Sequence, residues 1–176
     1  MTITVTTTKA DLQLAERIAN ERYNESRRMG LGNLAKNYSH DMERDGVLSE
    51  IAVAKGLGFD KFAPTVNSFK GSDIQTNLQV RGTAYSTGNL IIKPKDDTSH
   101  IYILTTFSSY PKHKIIGYCF GSEAKTLGTI KNGCLWIPQS KLTPIENIFT
   151  EIRFLENFTR PMTYVSNHTF IFTYKN

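Results

Sequence analysis

The hydrophobic period of this chain switches from helical to strand-like after its first third, and that switch sets its fold class. Between residues 9 and 57 apolar side chains recur every three to four positions, as on amphipathic helices. From Ser72 to Tyr118 they fall into short β-rich runs with turn residues between them. No repeat and no linker separates the two stretches. The pattern therefore predicts one α/β (α+β) domain over residues 1–176, with a mostly antiparallel or mixed sheet flanked by helices. At 176 residues, 39% hydrophobic and 21% charged, the chain is long enough and apolar enough for a proper core.

The first helix is expected over residues 9–29, with Leu12, Ala15, Ala19 and Tyr23 near helical spacing and Ile18 beside them. Its polar side carries Arg17, Arg22, Arg27 and Arg28, which suit either a solvated face or a phosphate-contacting one. Residues 30–39 read as a loop. Within it, Gly30-Leu-Gly-Asn-Leu-Ala35 matches a dinucleotide fingerprint in form only, because it follows a helix rather than a strand. A second helix is expected over residues 41–57, striped by Val47, Leu48, Ile51, Ala54 and Leu57. Glu50 shares a face with apolar residues of that stripe. A carboxylate there is either buried with a partner or lies at the edge and reaches water.

The strands expected next cover residues 73–74, 78–81, 89–93, 100–104 and 114–118, with loops at 94–97 and 108–111. A short helix is expected at residues 122–125. Thr143-Pro144-Ile145-Glu146 reads as a capping box with proline at the first helical position. It would open a third amphipathic helix bearing Ile145, Ile148, Phe149, Ile152 and Leu155. Residues 169–174 look like a last strand.

Gly71-Ser-Asp73-Ile-Gln-Thr-Asn-Leu-Gln79-Val80-Arg81-Gly-Thr83 holds the chemistry. Alternation puts Gln79 and Arg81 on one face and Val80 on the other. A tight turn after Asp73 would bring its carboxylate beside Gln79, with Glu50 approaching from the helix. Phosphodiester hydrolysis uses a hard cation held by oxygen ligands and a basic group against the phosphate. Asp73, Gln79, the Val80 carbonyl and Glu50 offer such oxygens, and Arg81 offers the charge.

Taken with Gly46-Val-Leu-Ser-Glu50-Ile-Ala and the later strands of residues 88–97, 101–104, 116–121 and 135–138, this segment resembles the restriction-endonuclease-like PD-(D/E)XK superfamily. Small phage-encoded members are the nearest likeness. The resemblance covers about residues 40–142. It implies a restriction-endonuclease-like core with a central mixed β-sheet. It also implies a Mg²⁺-dependent DNA endonuclease or exonuclease (Mn²⁺ substituting) with Glu50, Asp73, Gln79 and Arg81 in the site. The triplet is Gln79-Val80-Arg81 where the family has Glu-X-Lys. Gln lowers the site's negative charge. Arg stays protonated, so it clamps phosphate but cannot act as a base. Lys93, on the next expected strand, is a substitute donor or a solvated strand end.

A net charge of +5 and a pI near 9.2 favour a polyanionic partner. Lys112-His113-Lys114, beside Tyr110, reads as a basic loop that contacts a nucleic-acid backbone or is merely solvated. Asp96-Asp97 reads as a polar turn and Trp136 as core. Cys119 and Cys134 lack paired-cysteine spacing, which argues against a zinc site and a disulfide framework. The first nine residues lack signal-peptide character, and no apolar run approaches the roughly 20 residues of a membrane helix. The expected setting is therefore the cytoplasm (of a bacterial host, if phage-encoded), with DNA as partner and no membrane. A homodimer would fit the superfamily. The other class of function is a decayed nuclease fold that binds nucleic acid or a host protein.

Overall fold

The computed structural model describes residues 2–30, 39–59, 61–66, 72–74 and 77–152. It is a mixed α+β structure with a mixed sheet. The chain divides into two compact units, residues 1–146 and 147–176. In the second, residues 148–152 are helical. The strand expected at residues 169–174 and Leu155 of the third helix lie outside the described residues.

The first unit opens with β1 (Ile3–Thr6). This strand was not anticipated, although Ile3-Thr-Val5-Thr alternates as a β-branched edge strand does. Helix α1 (Lys9–Arg28) follows. It starts at Thr8 because Thr8 and Asp11 cap one another: the Asp11 N–H donates to Thr8 Oγ1, and the Thr8 N–H donates to Asp11 Oδ2. Helix α2 (His40–Gly56) is capped by Ser39, whose hydroxyl oxygen accepts from the Met42 N–H. The helices pack through Ala15 and Ile18 of α1 against Val47, Leu48 and Ile51 of α2. Each large aliphatic buried there contributes roughly 1.5–3 kcal/mol. Lys55 Nζ reaches Asp11 Oδ2 at 2.6 Å and ties the end of α2 to the start of α1. Burial alone would raise Asp11, but Lys55 and the Thr8 donors hold its pKa below the usual value.

The main sheet contains β2 (Leu78–Thr83), β4 (Ile101–Ser109), β5 (Lys112–Phe120) and β1, in the order β1-β5-β4-β2. β2 and β4 are parallel, while β4 with β5 and β5 with β1 are antiparallel. α2 lies on one face. Two glycines allow it to lie so close: a Cβ on Gly82 would fall 2.4 Å from Ser49 Oγ, and one on Gly56 would fall 2.4 Å from Ile115 Cδ1. The opposite face is partly covered by a small sheet of β3 (Leu90–Ile92), β6 (Thr129–Lys131) and β7 (Cys134–Ile137), in the order β3-β7-β6. Leu90, Ile92 and Ile137 pack there on Tyr102, Leu104 and Cys119, with Ala124 of the short helix α3 (Ala124–Leu127). Cys119 and Cys134 are both free thiols.

Four expectations are corrected. Lys112, His113 and Lys114 lie on β5, not in a loop. The short helix starts at Ala124 rather than at residue 122. The third helix starts later than the capping signal at residues 143–146 implies, with residues 148–152 helical after a 3₁₀ turn. Thr143–Pro144 form a two-residue strand, β8, paired with Gly117 and Tyr118, and a 3₁₀ turn follows at Ile145–Asn147. Pairing with β5 wins over the local capping signal, and Gly117 makes room for it: a Cβ there would lie 2.5 Å from the Thr143 carbonyl oxygen. Trp136 is half-buried rather than core. Its Nε1 donates to the Lys131 carbonyl and the Lys131 ammonium lies over its ring.

Candidate functional site

β2 is the edge strand of the main sheet, and its first residues gather the predicted site. Strand alternation buries Leu78 and Val80 toward α2 and leaves Gln79, Arg81 and Thr83 on the opposite face, level with Tyr102, Leu104 and Thr106 of β4. The turn after Asp73 is as tight as expected: the Asp73 and Ile74 N–H groups both donate to the Leu78 carbonyl. Asp73 Oδ2 then accepts from the Val80 N–H at 2.8 Å, across the start of the strand. Arg81 Nη1 stands 3.9 Å from the same oxygen, and it donates to Gln79 Oε1 at 3.3 Å and to the Val80 carbonyl at 3.2 Å. Asp73, Gln79, Val80 and Arg81 thus meet as the sequence suggested.

Arg81 has a further partner that the sequence did not reveal. Its Nη2 donates to Asp96 Oδ2 at 3.0 Å, and its guanidinium lies 5.4 Å from the centre of the Tyr102 ring. Asp96 also accepts from the Lys93 backbone N–H at 2.9 Å, so the turn after β3 holds its carboxylate in place. The Asp96-Asp97 pair is a turn, but Asp96 belongs to the site. Lys93 itself is exposed at the end of β3.

Glu50 sits on the α1 side of α2, almost fully buried, and both its oxygens are taken. Arg22 Nη1 donates to Oε1 at 2.6 Å and Nη2 to Oε2 at 2.9 Å, while Arg22 Nε donates to the Thr65 carbonyl at 2.8 Å. Arg22 is 4% exposed. This corrects both readings of that residue as part of a solvent-facing or phosphate-contacting row. Arg17, and Arg27 and Arg28 at the end of α1, are the exposed members of the row. Burial pushes Glu50 up to about 7 against the pull of Arg22, with Asp73 and Glu43 adding to the rise. Burial disfavours the charge on Arg22, and Glu50 more than offsets it, so its pKa is raised. Asp73 is pushed up by burial, against the Val80 N–H and the charges of Arg81, Arg22 and His100. Asp73 therefore feels a guanidinium from each side, Arg22 toward the helices and Arg81 along the strand.

This donor set does not fit the divalent cation that the resemblance implies. Each of the four oxygen donors expected to ligate it already receives N–H groups: Glu50 from Arg22, Asp73 from Val80, and Gln79 and the Val80 carbonyl from Arg81. A hard cation at their centre would stand against two guanidinium charges. Glu50 has both oxygens held by Arg22 in this arrangement. Among the described residues no three of His, Cys, Asp or Glu gather as a metal-holding group.

The remaining candidates, Lys112 and Lys114, project into solvent on either side of buried His113. No helix among the described residues is long and apolar enough to cross a membrane. Comparison with protein-family models, with curated proteins and with solved structures finds no match to this chain.

Proposed function

We propose that this protein binds nucleic acid, on a restriction-endonuclease-like framework whose acid site is neutralised by arginines. The observation that carries this reading is the distribution of charge. The acids of the site are engaged by Arg22 and Arg81 inside the fold, whereas Lys112 and Lys114 stay in solvent. The net charge of +5 supports the same partner. Binding would be dominated by phosphate contacts and would weaken steeply with salt.

A second reading is a metal-dependent DNA endonuclease or exonuclease. It is favoured by the meeting of Asp73, Gln79 and Arg81 at the start of β2. It requires Arg22 to release Glu50. Wild type and Asp73→Ala, each assayed for DNA binding and for plasmid cleavage with Mg²⁺, Mn²⁺ or EDTA, separate the two. Salt-dependent binding by both proteins without cleavage is the expected result. Metal-dependent cleavage lost in Asp73→Ala would establish the second reading. An absence of binding at low salt would sink the first.

A further inference from the structure

The four long strands of the main sheet, β1, β2, β4 and β5, contain no aspartate or glutamate. Apart from His113 their basic residues are Arg81, Lys112 and Lys114, and strand alternation puts all three on the face away from α2. The small sheet covers only part of that face, where Leu90, Ile92 and Ile137 meet Tyr102 and Leu104. Beyond it, at the β5–β1 edge, the register aligns Lys114 with Thr4 in one row, whereas Thr106, beside Lys114 on β4, is buried. A second row joins Ser109, Lys112 and Thr6. Thr4, Thr6, Ser109, Lys112 and Lys114 are exposed. The two ammonium groups arise about 7 Å apart along β5, with the β1 hydroxyls about 4.8 Å to one side.

We propose that this part of the sheet, open among the described residues, centred on Lys112 and Lys114 and flanked by the Thr4 and Thr6 hydroxyls, is the surface that holds the phosphate backbone of a single-stranded nucleic acid. The proposal rests on the nucleic-acid reading above and gives it a location. Ammonium and hydroxyl donors on strands without acidic residues match phosphate oxygens, and the acid that this face does meet, Asp96, is taken by Arg81. A sheet face accepts an extended strand. The hairpin between β4 and β5 carries Tyr110, 54% exposed, which offers a ring for a base to stack upon. A second copy is a poor occupant, since it would set lysine against lysine. Residues 153–176 carry Arg153, Arg160 and Lys175 against Glu156 alone, so they bring the same sign of charge.

The test is fluorescence anisotropy of a labelled 20-nucleotide single strand and of the matching duplex, over a salt series. The proteins are wild type, Lys112→Gln/Lys114→Gln, Tyr110→Ala and, as a control on another surface, Arg27→Gln/Arg28→Gln. The lysine pair is exposed, so thermal unfolding of that variant should match wild type. Tighter binding of the single strand is expected, with the lysine variant at least tenfold weaker and its salt slope smaller by about 1.4. Tyr110→Ala should weaken binding about tenfold without changing the slope. An unchanged slope in the lysine variant, or a loss confined to the arginine variant, would overturn the location and leave nucleic-acid binding standing. Tighter duplex binding would overturn the single-strand assignment. If wild type binds neither probe, the function and the surface fall together.

Discussion

The pair formed by Arg22 and Glu50 makes a quantitative claim. Two charge-assisted hydrogen bonds at 2.6 and 2.9 Å join groups that are both almost fully buried. Removing one partner of such a pair leaves the other uncompensated and costs about 3–5 kcal/mol. The two deletions are not equivalent. Arg22→Met leaves a carboxylate that escapes the cost by taking up a proton, and Glu50, already raised to about 7, does so readily in mild acid. Glu50→Gln leaves a guanidinium that cannot deprotonate. Urea unfolding at pH 8 should show Glu50→Gln with its midpoint lowered by roughly 2 M, taking about 4 kcal/mol over about 2 kcal/mol/M, and Arg22→Met lowered by less, because Glu50 rises further once Arg22 no longer pulls it down. At pH 5 Arg22→Met should recover much of its loss, while Glu50→Gln should not. Arg22→Met/Glu50→Leu, which removes both charges and keeps the volume, should return close to wild type. Single variants within 1 kcal/mol of wild type, or a double variant as unstable as the sum of the singles, would refute the argument that the pair is a closed structural unit.

Three other outcomes are expected. Arg81→Gln and Asp96→Asn should be coupled by about 1 kcal/mol in a double-mutant thermal unfolding cycle, because the pair is partly buried, and strict additivity would remove Asp96 from the site. His113 is buried beside Phe107, neither ring nitrogen has a partner among the described residues, and burial holds its pKa below the ordinary 6.5 against the opposing charge of Asp45. A group lowered in this way gives stability that is present above its unfolded pKa and lost as pH falls, so wild type should lose stability relative to His113→Phe between pH 7.5 and 5; parallel pH curves in urea would contradict this. Gly117→Ala puts a methyl 2.5 Å from the Thr143 carbonyl oxygen and should cost about 1–3 kcal/mol, with faster amide exchange at Thr143; an unchanged melting temperature would show that β8 is not held there.

Local chemistry made the two long helices legible. Thr8 and Ser39 cap them, their apolar stripes keep helical spacing, and α2 stops next to Gly58, whose φ is +77°. Asp73, Gln79 and Arg81 were readable together because they lie eight residues apart at most, within one turn and one strand. What escaped depends on partners remote in sequence. Arg22 looked solvent-facing because one helix's pattern does not say which face meets a neighbouring helix, and Glu50 lies 28 residues away. Asp96 looked like any turn aspartate until β3 brought its turn beside Arg81. The basic triplet at residues 112–114 looked like a loop because two lysines flank a histidine, yet that alternation places the histidine inside and the lysines outside. Thr143-Pro144 carried a valid helix-start signal that β5 overrode.

The two glycine notches under α2 bear on how this protein changes over evolutionary time. Ser49 is seated against Gly82 and Gly56 against Ile115, two anchor points seven residues, or about 10.5 Å, apart along the helix. A helix held at two points neither slides nor rolls, so the position of Glu50 is set by the sheet and not by its partner. Whether that carboxylate meets a guanidinium or is left open to another ligand then turns on the side chain at position 22. A lineage could pass between the two states by substitution there, with the framework that carries Glu50 left in place.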